Sequence, residues 1–376
     1  MGAIIRVVGV GGAGNNAVNR MIESVEGVEF IAINTDAQDL EECKADPSKR
    51  LVIGPKLTGG LGAGGNPSVG QSAAEESKDQ IREMLRGSHL VFITAGMGGG
   101  TGTGASPVVA MIARELGILT VGVVTKPFKF EGKHKMRNAE IGIANLSRYV
   151  DCAIIVPNQQ LVEKTKGGTT MLEAFGIADE VLQQGVQCIT DLIVKKMTIN
   201  IDFADIKSVM CNSGIAHMGI GRATGEDRLL KAIQQAVHSH ILETTIEDAS
   251  QIIMSITGGT ADLSIHEVDN YGNLIRDVVD ENCNIIFGAD IKPEYDGVVQ
   301  VIIIATGFPR DDKTQMDLIM GNHQAQGQAP QTATVQGARS AAPVQAVKQP
   351  DIAAVLPAKD PYDDLPPYIR KMRQGK

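Results

Sequence analysis

Gly98-Gly99-Gly100-Thr101-Gly102-Thr103-Gly104 follows the apolar run Leu90-Val91-Phe92-Ile93 and precedes residues 105–116, which read as a helix. Side chains no larger than threonine fill no core. Glycine admits positive φ and lets the backbone approach a ligand, so several N–H groups can face one anion. The helix that follows adds the positive end of its dipole. Strand, small-residue loop and helix together make a phosphate cradle; the competing reading is a mobile glycine turn between a strand and a helix.

Working outward, residues 4–8 read as a strand leading into Gly9-Val10-Gly11-Gly12-Ala13-Gly14, a GxGxxG with a helix at 15–22 behind it. A second strand at 28–33 ends at Asn34-Thr35-Asp36, where a dinucleotide fold uses an acidic residue to hold a ribose hydroxyl. An NAD-dependent dehydrogenase is therefore a rival, and glycines kept only for close helix–strand packing are a third reading. Gly59-Gly60-Leu61-Gly62-Ala63-Gly64-Gly65-Asn66-Pro67 is another glycine loop, followed by a helix at 72–85. After the opening stretch come a helix over 108–116 and a strand at 119–124. Strands alternating with helices predict a parallel sheet covered on both faces. Successive glycine loops suit a longer polyphosphate better than the single pyrophosphate of a dinucleotide. No GxxxxGK[ST] occurs, which excludes an ordinary P-loop.

Leu172, Phe175, Leu182, Val186, Ile189 and Ile193 recur with helical period over 172–193, a helix about 30 Å long at 1.5 Å per residue. Phe175 and Asp179, four apart, share a face. A ring can stack on a base, and a carboxylate accepts from guanine N1–H and N2–H, a donor pair adenine lacks. On an arbitrary helix the pair would be a core ring and a solvated acid; the phosphate loops upstream favour the nucleotide reading. Strands at 252–256, 284–287 and 298–305 and a helix at 228–241 predict a second α/β domain ending near Phe308. Residues 322–359, dominated by Gln, Ala, Pro, Thr and Val, cannot bury enough to offset ordering entropy and read as a disordered linker. Aromatics return in Asp364-Leu365-Pro366-Pro367-Tyr368-Ile369-Arg370, the composition of a short docking peptide on a tether.

Of the 376 residues, 43% are hydrophobic and only 3% aromatic, so the cores must be aliphatic. A net charge of -9 argues against a general nucleic-acid binder, which needs a basic face. No long apolar run or signal-peptide pattern is present, and the five cysteines form no CxxC, so a cytoplasmic protein with reduced thiols and no metal site of its own is expected.

The heptapeptide at 98–104 resembles the signature loop of the tubulin/FtsZ GTPases. The wider chain resembles the FtsZ branch: the first glycine loop, Asn34-Thr35-Asp36-Ala37-Gln38, Thr125-Lys126-Pro127-Phe128 with Phe130-Glu131-Gly132, Val156-Pro157-Asn158, Asn200-Ile201-Asp202-Phe203-Ala204-Asp205, and the tail peptide all match. The resemblance implies a Rossmann-like parallel-sheet GTPase domain over 1–170, a central connecting helix at 171–197, a smaller α/β domain at 198–309, a linker at 310–359 and a docking peptide at 360–376. It implies that Gly12, Ala13, Gly14, Asn15 and Asn16, with Gly98, Gly99, Gly100, Thr101, Gly102, Thr103 and Gly104, hold the phosphates of GTP or GDP. Glu131 and Lys135 would contact ribose and phosphate, and Asn158, Phe175 and Asp179 the guanine. Asn34, Asp36, Gly62, Ala63 and Gly64 complete the expected nucleotide set. Asp202 and Asp205, with Asn200, would be catalytic on the GTP of a neighbouring subunit, with Mg²⁺ offsetting charge. Head-to-tail contacts of that kind do not close and build filaments, here a ring at the division site attached through the tail to an FtsA-type membrane adaptor. Lys135 stands where the family usually has Arg, and Gly59, Ser68 and Gln159 also depart from it. A non-catalytic filament protein is the remaining alternative.

Overall fold

The structure is a computed structural model that describes residues 2–163, 170–195, 199, 202–237, 246, 248–260 and 283–308. Strands β1 (Ile5–Val10), β2 (Glu29–Asn34), β3 (Arg50–Val52), β4 (Leu90–Gly96), β5 (Leu119–Lys126) and β6 (Cys152–Pro157) are parallel and lie in the order β3-β2-β1-β4-β5-β6. The chain winds outward from β1 to β3, then returns to β4 on the other side of β1. That reversal leaves a crevice at the carboxyl ends of β1 and β4, the usual ligand position in such sheets.

The sheet does not stop at β6. The start of β7 (Gly214–Thr224) pairs parallel to β6, and its length pairs antiparallel to β10 (Val298–Thr306). Next to β10 lies β8 (Gln251–Gly258), antiparallel, and beyond it β9 (Asn284–Ile291), parallel to β8. The expected α/β class with a mainly parallel sheet is what the ten strands form.

Strand alternation feeds two aliphatic layers. On one face Ile5, Val7, Leu90, Phe92, Val121 and Val123 meet the helices Gly11–Met21 and Met171–Val194. On the other, Val8, Val10, Val91, Ile93 and Ala95 meet Pro67–Glu76, Lys78–Leu85, Thr101–Glu115 and Lys133–Leu146. The central helix Met171–Val194 starts where a capping box closes: Thr170 Oγ1 accepts from the Glu173 amide at 3.3 Å, and the Glu173 carboxylate accepts from the Thr170 amide at 2.7 Å.

Two expectations are corrected. Residues 72–85 are not one helix: the chain breaks at Ser77, whose hydroxyl accepts from the Gly54 amide at 3.0 Å, between Pro67–Glu76 and Lys78–Leu85. The opening stretch is only half a loop, since the helix already begins at Thr101. The expected linker and docking peptide, and the end of the helix at 228–241, lie outside the described residues.

Candidate functional site

Two helix N-termini converge at the β1/β4 crevice. The helix Gly11–Met21 begins directly after β1, with Gly11 at φ 73°, and a Cβ there would sit 2.8 Å from the Gly102 amide nitrogen. Gly102 is itself in the first turn of Thr101–Glu115. Glycine is required for both turns to approach, and their unsatisfied N–H groups and positive dipole ends share one space.

That space is a cavity of about 250 Å³ lined by Gly11, Gly12, Ala13, Gly99, Gly100, Thr101 and Gly102 at one end. Glu131, Lys135, Asn158, Phe175 and Asp179 line the remainder. Gly99 has no heavy atom within 4 Å of where a Cβ would stand, so its missing side chain leaves open space. Lys135 Nζ lies 3.1 Å from Glu131, whose other oxygen accepts from the Phe128 amide at 2.9 Å. Three phenylalanines order the far end: Phe128 and Phe130 stack with centroids 5.2 Å apart, and both meet Phe175 edge-on, at 5.1 and 6.3 Å. These contacts fix the position of Phe175, which lines the cavity. Asn158 is buried with its amide oxygen unpaired among the described residues. Asp179, beyond Phe175, pairs with Arg20 at 3.1 Å. Burial pushes its carboxyl up to about 6, against the opposing pull of Arg20.

Other expected site residues do structural work. A Cβ on Gly14 would meet the Thr94 carbonyl at 2.4 Å, and one on Gly104 the Pro67 carbonyl at 1.9 Å, so both glycines permit close packing and neither lines the cavity. Gly98, at φ 112°, turns the loop, and its amide donates to Thr103 Oγ1 at 2.8 Å. The Asn34 amide donates to Asp39 at 2.7 Å, and Asp36 caps the helix Ala37–Glu41 by accepting from the Gln38 amide at 3.0 Å. Ala63 and Asn66 lie against Gly100, and Gly62 beside Asp36, so the third glycine loop, Gly64 included, folds over the second without lining the cavity. Asn15 is buried with both amide atoms unpaired among the described residues, while Asn16 is exposed.

The acidic pair is elsewhere. Asp202 is the N-cap of the helix Phe203–Met210, its side chain exposed and making no cap bond, and Asp205 is exposed in the first turn. The fifteen residue steps from Asp179 to Val194 span about 22 Å along the central helix at 1.5 Å per residue. Among the described residues neither carboxylate is ion-paired, and neither lines the cavity of its own subunit. Asn200 lies outside the described residues. Sequence reading gives no role to Arg20, Phe128 or Phe130; for the two rings the family-matching string around Glu131 was a signal, and for Arg20 there was none.

Residues 4–166 match the family model described as Tubulin/FtsZ family, GTPase domain, and residues 214–309 the FtsZ family, C-terminal domain. An empty FtsZ dimer from M. jannaschii is 44% identical with a TM-score of 0.77, over 82% of this chain and 89% of that one. The chain belongs to the FtsZ family. The cell division protein FtsZ of Caulobacter vibrioides is 55% identical over 306 residues, which are 81% of this chain and 60% of that relative's length. CetZ1 from Haloferax volcanii, described as a GDP-bound monomer, shares the fold at 19% identity and a TM-score of 0.73, over 84% of this chain and 97% of that one. FtsZ membership leaves the dehydrogenase and the non-catalytic filament without support.

Proposed function

We propose that this FtsZ-family chain binds GTP in the β1/β4 cavity and hydrolyses it only after head-to-tail assembly. One observation carries the reading: a cavity at two helix N-termini where, among the described residues, no unpaired carboxylate lines the glycine end, and an exposed acidic pair beyond the far end of the central helix. Amides at the two helix N-termini hold the phosphates. Phe175 stacks on the guanine, Asp179 accepts from N1–H and N2–H, and Asn158 supplies its unpaired oxygen as a further acceptor. Bound GTP alone hydrolyses slowly, because nothing orients the attacking water. Asp202 and Asp205 of the next subunit polarise that water. Among the described residues no three His, Cys, Asp or Glu side chains cluster to hold a metal. A bound Mg²⁺ would be held chiefly by phosphate oxygens, where it would neutralise developing charge.

On this reading residues 1–170 bind nucleotide, 171–197 connect, 198–309 present the acidic loop, and 310–359 tether the peptide at 360–376 to an adaptor of FtsA type at the division site. No helix among the described residues is long and apolar enough to cross a membrane. Asp205→Ala tests the shared site: hydrolysis should vanish while GTP binding by dilute subunits persists. Lost binding would put Asp205 in its own subunit's pocket and end the proposal.

A further inference from the structure

Both sides of the segment that leads from the central helix towards the acidic pair are fastened to the end of β9. In the last turn of the helix, Asp191 lies 3.0 Å from Lys195 Nζ and 3.8 Å from Lys292 Nζ, and Lys292 Nζ lies 3.3 Å from Asp290. Further on, the Ile199 amide donates to the Ala289 carbonyl at 3.3 Å. Ala289, Asp290 and Lys292 fall within four consecutive residues, and Lys292, the residue after β9, keeps an extended backbone at φ -128° and ψ 131°, so it falls on the same side as Asp290, two residues before it. Lys292 is anchored in turn, its amide donating to the Gly258 carbonyl on β8 at 2.9 Å.

This network differs from an ordinary surface pair. Its four side chains are 13–27% exposed, against 56% and 67% for Lys44 and Glu23. Solvent screening removes most of the value of the latter kind and less of the former. Partial burial alone would lower the Lys292 ammonium, but Asp191 and Asp290 outweigh it and hold the group above the ordinary lysine range.

We infer that Lys292, by tying Asp191 to Asp290, is a positioning residue for hydrolysis in the neighbouring subunit. It fixes the end of the central helix to β9, and with it the point from which the chain departs towards Asp202 and Asp205. The inference rests on the shared-site reading above. Orientation of an attacking water tolerates little error: a misplacement of about 1 Å far from the chemistry is worth about 10²-fold. The nucleotide cavity is insulated, since Asp191 stands about 18 Å along the helix from Asp179.

The test uses the full chain, comparing wild type with Lys292→Gln and Lys292→Arg. Three quantities are read: GTP affinity of dilute subunits, polymer pelleted with a slowly hydrolysed GTP analogue, and GTP hydrolysed per polymerised subunit. Lys292→Gln should leave the first two within about twofold and lower the third about tenfold. Lys292→Arg, which keeps the charge, should recover most of the rate. A wild-type rate that ignores protein concentration overturns the shared site and the positioning role together. A concentration-dependent wild type with Lys292→Gln hydrolysing within twofold of it per polymerised subunit overturns the positioning role alone, as does a loss wholly matched by lost GTP affinity. If Lys292→Gln lacks a cooperative melt, Asp290→Asn, which removes only one partner of Lys292, is measured the same way. A fall of about threefold is then expected, and an unchanged rate refutes the inference.

Discussion

Lowering the pH from 7 to 5 should weaken guanine nucleotide binding through one carboxylate. Asp179 is pushed up to about 6 by burial, with Arg20, 3.1 Å away, pulling the other way. Only the ionised carboxylate accepts from both N1–H and N2–H, so protonation of the free protein competes with binding and affinity falls as the pH falls. The competition factor is 1 + 10^(pKa − pH), about 1.1 at pH 7 and about 11 at pH 5, a loss of about tenfold or 1.4 kcal/mol. The assay is equilibrium displacement of a fluorescent GTP analogue from subunits kept too dilute to assemble. The terminal phosphate of GTP titrates in the same range, so the readout is the difference in slope between wild type and Asp179→Asn, which has nothing to titrate at this position. Arg20→Ala, by removing the opposing cation, should move the fall to higher pH. Equal slopes in wild type and Asp179→Asn would refute the role of Asp179 as the base-reading carboxylate.

The two kinds of glycine in the opening stretch should separate experimentally. Gly99→Ala meets no protein atom but intrudes on the cavity, so melting should be unchanged while GTP affinity falls at least several-fold in the same displacement assay. Gly104→Ala would press a methyl to 1.9 Å from the Pro67 carbonyl, and forcing the helices apart should lower stability by about 1–3 kcal/mol in a thermal melt.

Those glycines also mark how far the sequence could be read. The parallel sheet, the central helix and the pairing of Phe175 with Asp179 were legible because aliphatic periodicity and residue chemistry point the same way. The division of labour within the glycine stretches was not. Gly14 and Gly104 look like Gly99 as letters, yet the first two are small because a backbone crosses them and the third because a cavity faces it. Asp36 was open to a ribose reading; in the fold it caps a five-residue helix. Strand β7 is hidden by Gly219 and Gly221, which interrupt its apolar run. Their hydrogens admit the helix Arg228–Val237, whose Ala236 and Ala232 carbonyls a Cβ would meet at 1.9 and 1.8 Å. Arg20 reaches Asp179 from another helix, a contact that no local spacing encodes.

On the proposed reading the cavity at Gly99 to Gly102 is half of an active site, which the exposed Asp202 and Asp205 of another copy complete. The most direct measurement is the GTP hydrolysis rate per subunit against protein concentration, from well below to well above the onset of light scattering. A rate near zero in dilute solution that climbs steeply as scattering appears is the predicted result. A rate per subunit that stays constant across the whole range would mean that each chain hydrolyses GTP unaided, and would contradict the account.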